Sequence, residues 1–280
     1  MKLAFIFCIY KRHELEKIVI NRLISQSNKF GFEIIIAGSE GRVSKRLAKG
    51  CHYIEIDNFP VSNKHNSLLA KAKQLNVDGV VLLGSDDMIS DSYIEFIYKQ
   101  SKDEFNIIGL RDIFFYETRG KKSGHWLGYG SSNQSVGAGR FFSKRILEAC
   151  NWTLWSDGLN SGLDTDCAKR LSSKGIEDIS FYMNEINAYC VDVKHTQSIT
   201  SRSIIDVCEP INTDVLSDIF KDDFDLVSKL ENKALEFDLS LYDGVMEFVG
   251  TGKFKAIRKG DVLSLDYNTA LPLLQKGFIK

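Results

Sequence analysis

Short apolar runs alternate with segments of helical periodicity along the first third of the chain. The four apolar runs, each ending at a glycine or a polar turn, occupy residues 3–9, 32–37, 51–56 and 80–83. Runs of this length, rich in branched side chains and bounded by turn residues, are typical of buried strands. Apolar residues with helical spacing lie between them, for example at residues 15–23 and 69–75. The alternation predicts an α/β fold.

The fourth apolar run stops at two adjacent aspartates, Asp86 and Asp87. In open α/β sheets, ligands collect beyond the carboxyl ends of such strands. Two carboxylates at a strand end can hold a hard divalent cation such as Mg²⁺. In proteins, Mg²⁺ is usually bound by one or two carboxylates together with the phosphates of the substrate. A simple turn before a helix explains the same residues, because Ser92 and Glu95 have capping-box spacing. The motif alone leaves these two interpretations open.

The second half of the chain carries another acidic motif at the start of a helical segment. A glycine-rich stretch ends in Arg140, and about twenty residues later Asp164 and Asp166 precede an arginine-leucine pair. Negative charge is stabilised at a helix amino terminus, and a carboxylate there can serve as a base if it reaches the proton it removes. A structural cap is the alternative role for an aspartate at this position.

The order of these segments resembles the GT-A glycosyltransferases of the family-two type over roughly residues 1–200. The resemblance implies a Rossmann-like mixed sheet flanked by helices, and transfer of a sugar from a nucleotide-sugar donor, a uridine diphosphate sugar, to a hydroxyl acceptor with inversion. It also implies the donor-binding residues, which are Tyr10, Arg12, Glu40, Asn63, Lys64, Ser85, Asp86 and Arg140.

The same resemblance implies a metal cofactor, Mn²⁺ or Mg²⁺. Its expected ligands are Asp86, Asp87 and His195, the last because GT-A enzymes often bring a histidine from a carboxy-terminal segment. Asp164 is the expected base, with Asp166 as a second catalytic carboxylate. The chain departs from the family pattern twice, because Gly84 and Leu163 stand where the family has acidic residues.

Aromatic residues cluster between the two halves and bear on the acceptor. Trp126 and Trp155 are the acceptor candidates, because tryptophan offers a flat apolar face with a polar edge. Core packing explains such residues equally well. A basic loop at residues 119–125 interrupts the cluster and suits either a phosphate-bearing acceptor or a solvated surface. A modified DNA base, a protein side chain and another glycan all remain possible acceptors.

Composition narrows the class of protein. The chain carries 36 basic and 37 acidic residues, a net charge of −1, which argues against a surface built for non-specific attraction to nucleic acid or membranes. Its six cysteines are scattered without metal-ligand spacing, which predicts reduced thiols and a cytoplasmic location. The first apolar run is too short for a signal peptide or a membrane span.

A domain boundary is predicted near Pro210. Residues 1–210 form the expected GT-A domain, and residues 211–280 form a helical linker followed by a small β-rich module. The module weakly resembles the ends of bacteriophage proteins that dock a larger partner, which hints at a phage origin and a docking role.

Two other functions compete with glycosyl transfer. A nucleotidyltransferase uses a similar metal site, but usually has a glycine-rich basic loop after the first strand, and residues 10–13 contain no glycine. A docking or structural protein on a degenerate GT-A scaffold is the other alternative.

Overall fold

The computed structural model describes residues 1–101, 107–130, 134–195, 202–230, 245–249 and 262–266. The elements of the first half are β1 (Leu3–Cys8), α1 (His13–Phe30), β2 (Glu33–Gly38), α2 (Arg42–Leu47), β3 (His52–Glu55), α3 (Val61–Gln74), β4 (Gly79–Leu82), β5 (Asp87–Ile89), α4 (Asp91–Gln100), β6 (Ile107–Leu110), β7 (Ile113–Glu117) and β8 (Lys122–Trp126).

The remaining elements are β9 (Phe141–Ser143), α5 (Lys144–Ala149), α6 (Leu163–Ser172), β10 (Ile179–Phe181), α7 (Met183–Ile186), β11 (Cys190–Lys194), a 3₁₀ helix (Arg202–Val207), β12 (Glu209–Pro210), α8 (Asp214–Phe220), α9 (Asp222–Ser228), β13 (Val245–Val249) and β14 (Val262–Asp266). The chain divides into two compact units, Met1–Asn232 and Lys233–Lys280.

The first unit is built on a seven-stranded mixed sheet in the order β10-β6-β9-β4-β1-β2-β3. Strands β1 to β4 are parallel and are joined by helices α1 to α3, whereas β9 runs antiparallel to both β4 and β6. This is the predicted α/β class, a mixed sheet flanked by helices, and the prediction is confirmed.

Both faces of this sheet are buried, which explains the continuous apolar runs in the sequence. Successive side chains of a strand point to opposite faces. Phe5 and Phe7 of β1 therefore belong to one hydrophobic core with residues of α1, and Ala4 and Ile6 belong to a second core with residues of α3.

A five-stranded sheet, in the order β12-β8-β7-β11-β5, continues from the end of β4. Strand β5 pairs antiparallel with β11, so that Asp87 lies opposite Asp192. The following helix, α4, begins at an N-cap formed by Ser90, whose side chain accepts a hydrogen bond from the backbone of Tyr93. The capping box expected at Ser92 is therefore displaced by two residues, because β5 ends at Ile89.

Helices α8 and α9 belong to the first unit and contribute to its core. Their apolar residues Phe220 and Phe224 are buried in the core that also contains α1, and Phe224 meets the ring of Tyr116 at 4.8 Å. Arg22 of α1 donates to Asp223 at 2.6 Å. The predicted boundary after residue 210 thus separates helices from a core they help to form, and the compact unit extends to Asn232.

The second unit contains an antiparallel pair, β13 with β14, in which Val245 lies opposite Asp266. This agrees with the β-rich appendage expected from the sequence. Within the described residues, no helix has both the length and the apolar character needed to cross a membrane. All six cysteines are free thiols.

Candidate active site

The functional residues converge on the edge of the seven-stranded sheet that is formed by the carboxyl ends of its parallel strands. Strands β1, β2 and β4 are parallel, so their carboxyl ends share that edge. The segment that enters the antiparallel β9 lies there too, because the N–H of Leu82 donates to the carbonyl of Arg140 at 2.9 Å. On the other side of β1, the N–H of Ile9 donates to the carbonyl of Ala37 at 2.9 Å. The topology therefore gathers four sequence motifs that lie far apart in the chain.

Three aspartates form an acidic cluster at this edge. One carboxylate oxygen from each of Asp86, Asp87 and Asp192 lies within 4.8 Å of the others. The cross-strand pairing of Asp87 with Asp192 brings the third carboxylate into place. Sequence reasoning missed Asp192, although a charged residue between the valines of an apolar strand was a visible signal. His195, the ligand expected from that region, follows the end of β11 and is not part of this group.

Gly84 gives the two sequence-adjacent aspartates room to turn back on the strand end. The backbone N–H of Gly84 donates to Asp87 Oδ2. A Cβ at residue 84 would lie 2.7 Å from Asp86 Oδ1 and 3.0 Å from Asp87 Oδ2. The absence of an acid at this position is thus part of the local geometry, and Asp192 supplies the third carboxylate from another strand.

Two cations accompany the acidic cluster, the partly buried Arg12 and the buried Lys194. Arg12 binds Asp86 through Nη1 and donates to Ser85 Oγ at 2.7 Å through Nη2. Lys194 Nζ lies 2.5 Å from Asp192 Oδ2 and 4.9 Å from the centre of the Phe115 ring. The sequence had singled out Arg12 but not Lys194.

The carboxylates of the cluster repel one another in a buried setting. Burial raises the pKa of Asp87 well above its usual range, and the charges of Asp192 and Asp86 add to the effect. Burial and the charge of Asp86 raise the pKa of Asp192 to about 6. Burial alone lowers the pKa of Lys194, but the neighbouring carboxylates outweigh it and raise that pKa. A cation with room for several oxygen ligands relieves this repulsion.

The donor set of the cluster fits a hard divalent cation. Carboxylate oxygens are the ligands that Mg²⁺ and Mn²⁺ favour. The Oδ1 atom of Asp192 is buried and, among the described residues, has no hydrogen-bond partner. Asp86, Asp87 and Asp192 can therefore hold a metal ion.

Two glutamates shape the loop that follows β1. Glu16 Oε1 accepts from the backbone N–H of Tyr10 at 2.6 Å, and Glu40 Oε2 accepts from the N–H of Lys11 at 3.0 Å. Glu40 also contacts His13 Nε2 at 3.1 Å. Glu16 is fully buried, and burial raises its pKa. Glu16 lies three residues before Val19 and therefore falls on the apolar stripe of α1. A glutamate on an apolar stripe was the sequence signal for a buried, hydrogen-bonded carboxylate.

Lys64 and Asn63 hold loops around this edge. Lys64 Nζ donates to the carbonyl of Ile9 at 2.9 Å, to Asn58 Oδ1 at 3.1 Å and to Ser39 Oγ at 3.3 Å. These three acceptors match its three N–H groups. Asn63 Oδ1 accepts from the N–H of Gly158 at 3.3 Å. Lys64 thus holds the backbone next to Tyr10, and Asn63 holds the loop at Gly158. The sequence had predicted that both residues bind the nucleotide-sugar donor.

Asp164 lies beside Arg140 at the start of α6. Tyr129 donates its hydroxyl proton to Asp164 Oδ2 at 3.1 Å, and Arg140 Nη1 lies 3.7 Å from Oδ1. Arg140 is 2% exposed and also donates to Ser135 Oγ at 2.7 Å. The side chain of Asp164 is 37% exposed, so this carboxylate is both fixed and accessible.

The second acidic residue of this motif has a different environment. Asp166 accepts from the backbone N–H of Ser156 at 2.7 Å and from Ser156 Oγ at 3.0 Å. These bonds use both carboxylate oxygens to fix the loop before α6. The geometry favours a structural role for Asp166 over the expected catalytic one.

The two tryptophans proposed for the acceptor lie in different places. Trp155 is 2% exposed and packs 5.1 Å from the ring of His65, in the core below α3. This burial argues against an acceptor role for Trp155. Trp126 is partly exposed and meets Tyr129 edge to face at 4.9 Å. It therefore lies one side chain away from Asp164.

No protein-family model matches the chain, and no curated protein matches it either. Its fold is similar to CMP-2-keto-3-deoxy-manno-octonic acid synthetase complexed with CTP, at 14% identity over 74% of this chain and 96% of that one, with a TM-score of 0.45.

Two further structures are similar. A putative nucleotide-diphospho-sugar transferase from Desulfovibrio desulfuricans G20 is 13% identical over 64% of this chain and 79% of that one, with a TM-score of 0.40. A glycosyltransferase involved in the glycosylation of the major capsid of PBCV-1 is 12% identical over 74% and 97%, with a TM-score of 0.41. These values are too low to transfer an activity.

Proposed function

We propose that this protein is a metal-dependent glycosyltransferase that moves a sugar from a uridine diphosphate sugar to a hydroxyl acceptor with inversion. The observation that carries the proposal is the acidic cluster of Asp86, Asp87 and Asp192 at the carboxyl end of β4, with Arg12 beside it. Outside this cluster, the carboxylate of Asp164 contacts Arg140, whose backbone lies at the same edge of the sheet.

Asp86, Asp87 and Asp192 hold Mn²⁺ or Mg²⁺ in this proposal. When bound, the ion supplies positive charge to the diphosphate of the donor. Arg12 and Lys194 add two fixed cations next to the same carboxylates. They balance the charge of the cluster and favour a bound diphosphate over a neutral ligand.

The loop held by Glu16 and Glu40 forms the nucleotide side of the site. Tyr10 presents a ring there, and Lys64 Nζ lies 5.9 Å from its centre. The hydrogen bonds from Tyr10 and Lys11 to the two glutamates fix this loop before a ligand arrives. A preorganised loop binds a nucleotide without an ordering cost.

Asp164 acts as the general base. It removes the proton of the acceptor hydroxyl while the acceptor oxygen bonds to the anomeric carbon and the bond from that carbon to the diphosphate breaks. The hydrogen bond from Tyr129 and the contact with Arg140 hold the carboxylate of Asp164 in place for this step. Attack from the side opposite the diphosphate inverts the configuration of the sugar.

Hydrolysis of nucleotide sugars without an acceptor tests the donor and the metal together. We expect release of UDP from one UDP-sugar of a panel with UDP-, GDP- and ADP-linked sugars, only when Mn²⁺ or Mg²⁺ is present. Asp192→Asn should weaken Mn²⁺ binding at least about tenfold, because it removes one of the three negative charges that attract the cation. Calorimetric titration with Mn²⁺ measures this directly. Asp218→Asn, at an exposed position of α8, is the matched control and should behave as wild type.

The competing functions give different results in the same experiment. Release of pyrophosphate from a nucleoside triphosphate and a sugar 1-phosphate, without hydrolysis of any nucleotide sugar, would indicate a nucleotidyltransferase. Failure to bind any nucleotide would favour a docking protein on a GT-A scaffold. Equal Mn²⁺ affinity in wild type and Asp192→Asn would contradict the metal site.

A further inference from the structure

Trp126 and Tyr129 form what we call the aromatic platform. Tyr129 contacts Asp164, and Trp126 contacts Tyr129. Tyr129 is 41% exposed, and its ring meets the partly exposed Trp126 edge to face at 4.9 Å. The hydroxyl of Tyr129 donates to Asp164 at 3.1 Å. Burial and the charge of Asp164 raise the pKa of Tyr129, so the phenol stays protonated and remains a donor. The platform therefore ends at the carboxylate proposed as the base.

One face of the five-stranded sheet joins this platform to the acidic cluster. Asp192 lies opposite Asp87 on β5 and opposite Phe115 on β7, and Phe115 lies opposite Gly124 on β8. Residues opposite one another, and residues two apart on a strand, share a face. Trp126 is two residues beyond Gly124, and its ring lies 6.3 Å from Phe115. The 3₁₀ helix and the residue after it cover this face at Gly124, where a Cβ would lie 2.5 Å from the Cβ of Cys208. The aromatic surface open to a ligand is therefore that of Trp126 and Tyr129.

The charges around the platform do not suit a polyanion. The lysines and the arginine of the basic segment at residues 119–125 lie at the turn end of the β7–β8 hairpin, where Glu117 pairs with Lys122, and Lys122 is about 13 Å from Trp126 at the usual strand rise. His125, next to Trp126, contacts Asp112 at 2.6 Å. Arg140 is buried and binds Ser135 and Asp164. The guanidinium of Arg111 stacks on the ring of Tyr182 at 5.3 Å. The carboxylate of Asp164, which contacts Tyr129, is partly exposed and repels phosphates.

We propose that the acceptor is a neutral carbohydrate whose ring packs on Trp126 and Tyr129 while one of its hydroxyls reaches Asp164. The C–H face of a sugar ring is apolar and electropositive, which complements the electron-rich face of an aromatic ring. Tyr129 is a positioning residue, because it orients the carboxylate that takes the proton. This inference rests on the proposed function, since it assigns the acceptor of that reaction.

Binding of simple glycosides to the full chain tests the acceptor class. The probes are methyl glycosides of glucose, galactose, mannose and N-acetylglucosamine, a single-stranded oligonucleotide and a serine-containing peptide. Saturation-transfer NMR is recorded with and without UDP and Mn²⁺. We expect ring-proton signals from at least one glycoside. Trp126→Ala should weaken that binding about tenfold, Trp126→Phe should retain most of it, and Leu127→Ala, at a neighbouring exposed position, should match wild type.

Three outcomes would overturn the inference. These are no signal from any glycoside, equal binding in wild type and Trp126→Ala, or binding of the oligonucleotide or peptide that depends on Trp126. Thermal unfolding of each variant shows whether a lost signal reflects a lost fold. Donor hydrolysis needs no acceptor. If no donor were hydrolysed, the proposed function would be contradicted, whereas the binding of glycosides could still be interpreted by itself.

The role of Tyr129 is tested by the kinetics of transfer to the glycoside that binds. Tyr129→Phe keeps the ring and removes only the hydroxyl. We expect a lower kcat with little change in KM, because the ring still packs on the acceptor while Asp164 loses the hydrogen bond that orients it. An unchanged kcat would contradict the positioning role.

Discussion

Buried ionisable side chains lie under the candidate site, and their partners differ. Lys64 uses its protons on three oxygen atoms of the protein. Glu16 accepts from a backbone N–H through one oxygen. His65, the neighbour of Lys64, is in a different situation, because its buried Nδ1 has no hydrogen-bond partner among the described residues. A charged imidazole there is disfavoured, so the protonation of His65 affects stability.

His65 should make the fold weaker in acid. Burial lowers its pKa from 6.5 to about 4, and the charge of Lys64 acts in the same direction. The unfolded chain therefore takes up a proton before the folded chain does, and its contribution to stability, complete above pH 6.5, is lost as the pH falls towards 4. The full difference corresponds to roughly 3 kcal/mol of unfolding free energy. Urea unfolding at a series of pH values measures it.

The variant His65→Leu isolates this effect from other titrating groups. It should lose the part of the pH dependence between 6.5 and 4 that belongs to the imidazole. His52→Gln is the matched control, because His52 is a surface histidine paired with Glu33 at 2.9 Å. The same slope of stability against pH in His65→Leu and wild type would show that His65 is not buried as a neutral group.

The sequence showed which residue types could bind a metal or a sugar, but it did not show which of those residues come together in the fold. Asp86 and Asp87 were recognisable because an apolar strand ended on them. Asp192 was not, because its role depends on a strand pairing between residues about a hundred positions apart. Trp155 and Trp126 looked alike in sequence, and only the packing shows that one is buried beside His65 and the other is partly exposed.

At the scale of elements, two loops next to β4 each contain a glycine that a carboxylate of the proposed site approaches closely. A Cβ at Gly84 would lie 2.7 Å from Asp86 Oδ1, and a Cβ at Gly137 would lie 2.6 Å from Asp164 Oδ1. Both distances are shorter than normal contacts between these atoms. Gly84 thus leaves room for Asp86 and Asp87, and Gly137 leaves room for Asp164.

Alanine at each glycine should impair one half of the site and spare the other. We expect Gly84→Ala to weaken Mn²⁺ binding about tenfold or more, because the displaced Asp86 and Asp87 no longer converge with Asp192. Gly137→Ala should bind Mn²⁺ as wild type does but transfer sugar to an acceptor more slowly, because Asp164 is displaced. Calorimetric Mn²⁺ titration and transfer rates measure the two effects.

Each glycine variant is the control for the other. We expect both variants to unfold at a temperature close to that of wild type, because neither glycine has a positive φ that alanine would avoid. Loss of Mn²⁺ binding in both variants would show that the two loops act as one unit. Normal Mn²⁺ binding in Gly84→Ala would mean that the acidic cluster does not hold the metal.

Elements with strong periodicity were predictable, and elements that depend on tertiary pairing were not. Strands β1 to β4 and the helices between them followed from apolar runs and helical spacing. Strand β5 has only three residues, and it forms because β11 pairs with it. Its presence displaces the start of α4 from the expected capping box to Ser90.

At the scale of the whole molecule, the two compact units differ in what they contain. Every residue assigned to the acidic cluster, the nucleotide side and the base lies in Met1–Asn232. The helices α8 and α9 add to the core of that unit, although the sequence had suggested a boundary before them, near Pro210. A docking role for Lys233–Lys280 remains our proposal for the second unit.

Two truncations distinguish the predicted boundary from the observed one. A chain ending at residue 232 should fold, bind Mn²⁺ and hydrolyse the donor as the full chain does, because its core and site are complete. A chain ending at residue 210 should be strongly destabilised. It loses four buried apolar residues of α8 and α9, which are Leu216, Phe220, Phe224 and Val227.

Burial of such side chains stabilises by about 1.5–3 kcal/mol each, so their loss approaches the whole stability of a typical domain, about 5–15 kcal/mol. Arg22 also loses its partner Asp223 and is left with its hydrogen bonds to the carbonyl of Ile89. Circular dichroism melting and Mn²⁺ titration of both chains measure the outcome. A stable, metal-binding chain of 210 residues would restore the boundary expected from the sequence, whereas loss of Mn²⁺ binding in the 232-residue chain would show that the second unit takes part in the site.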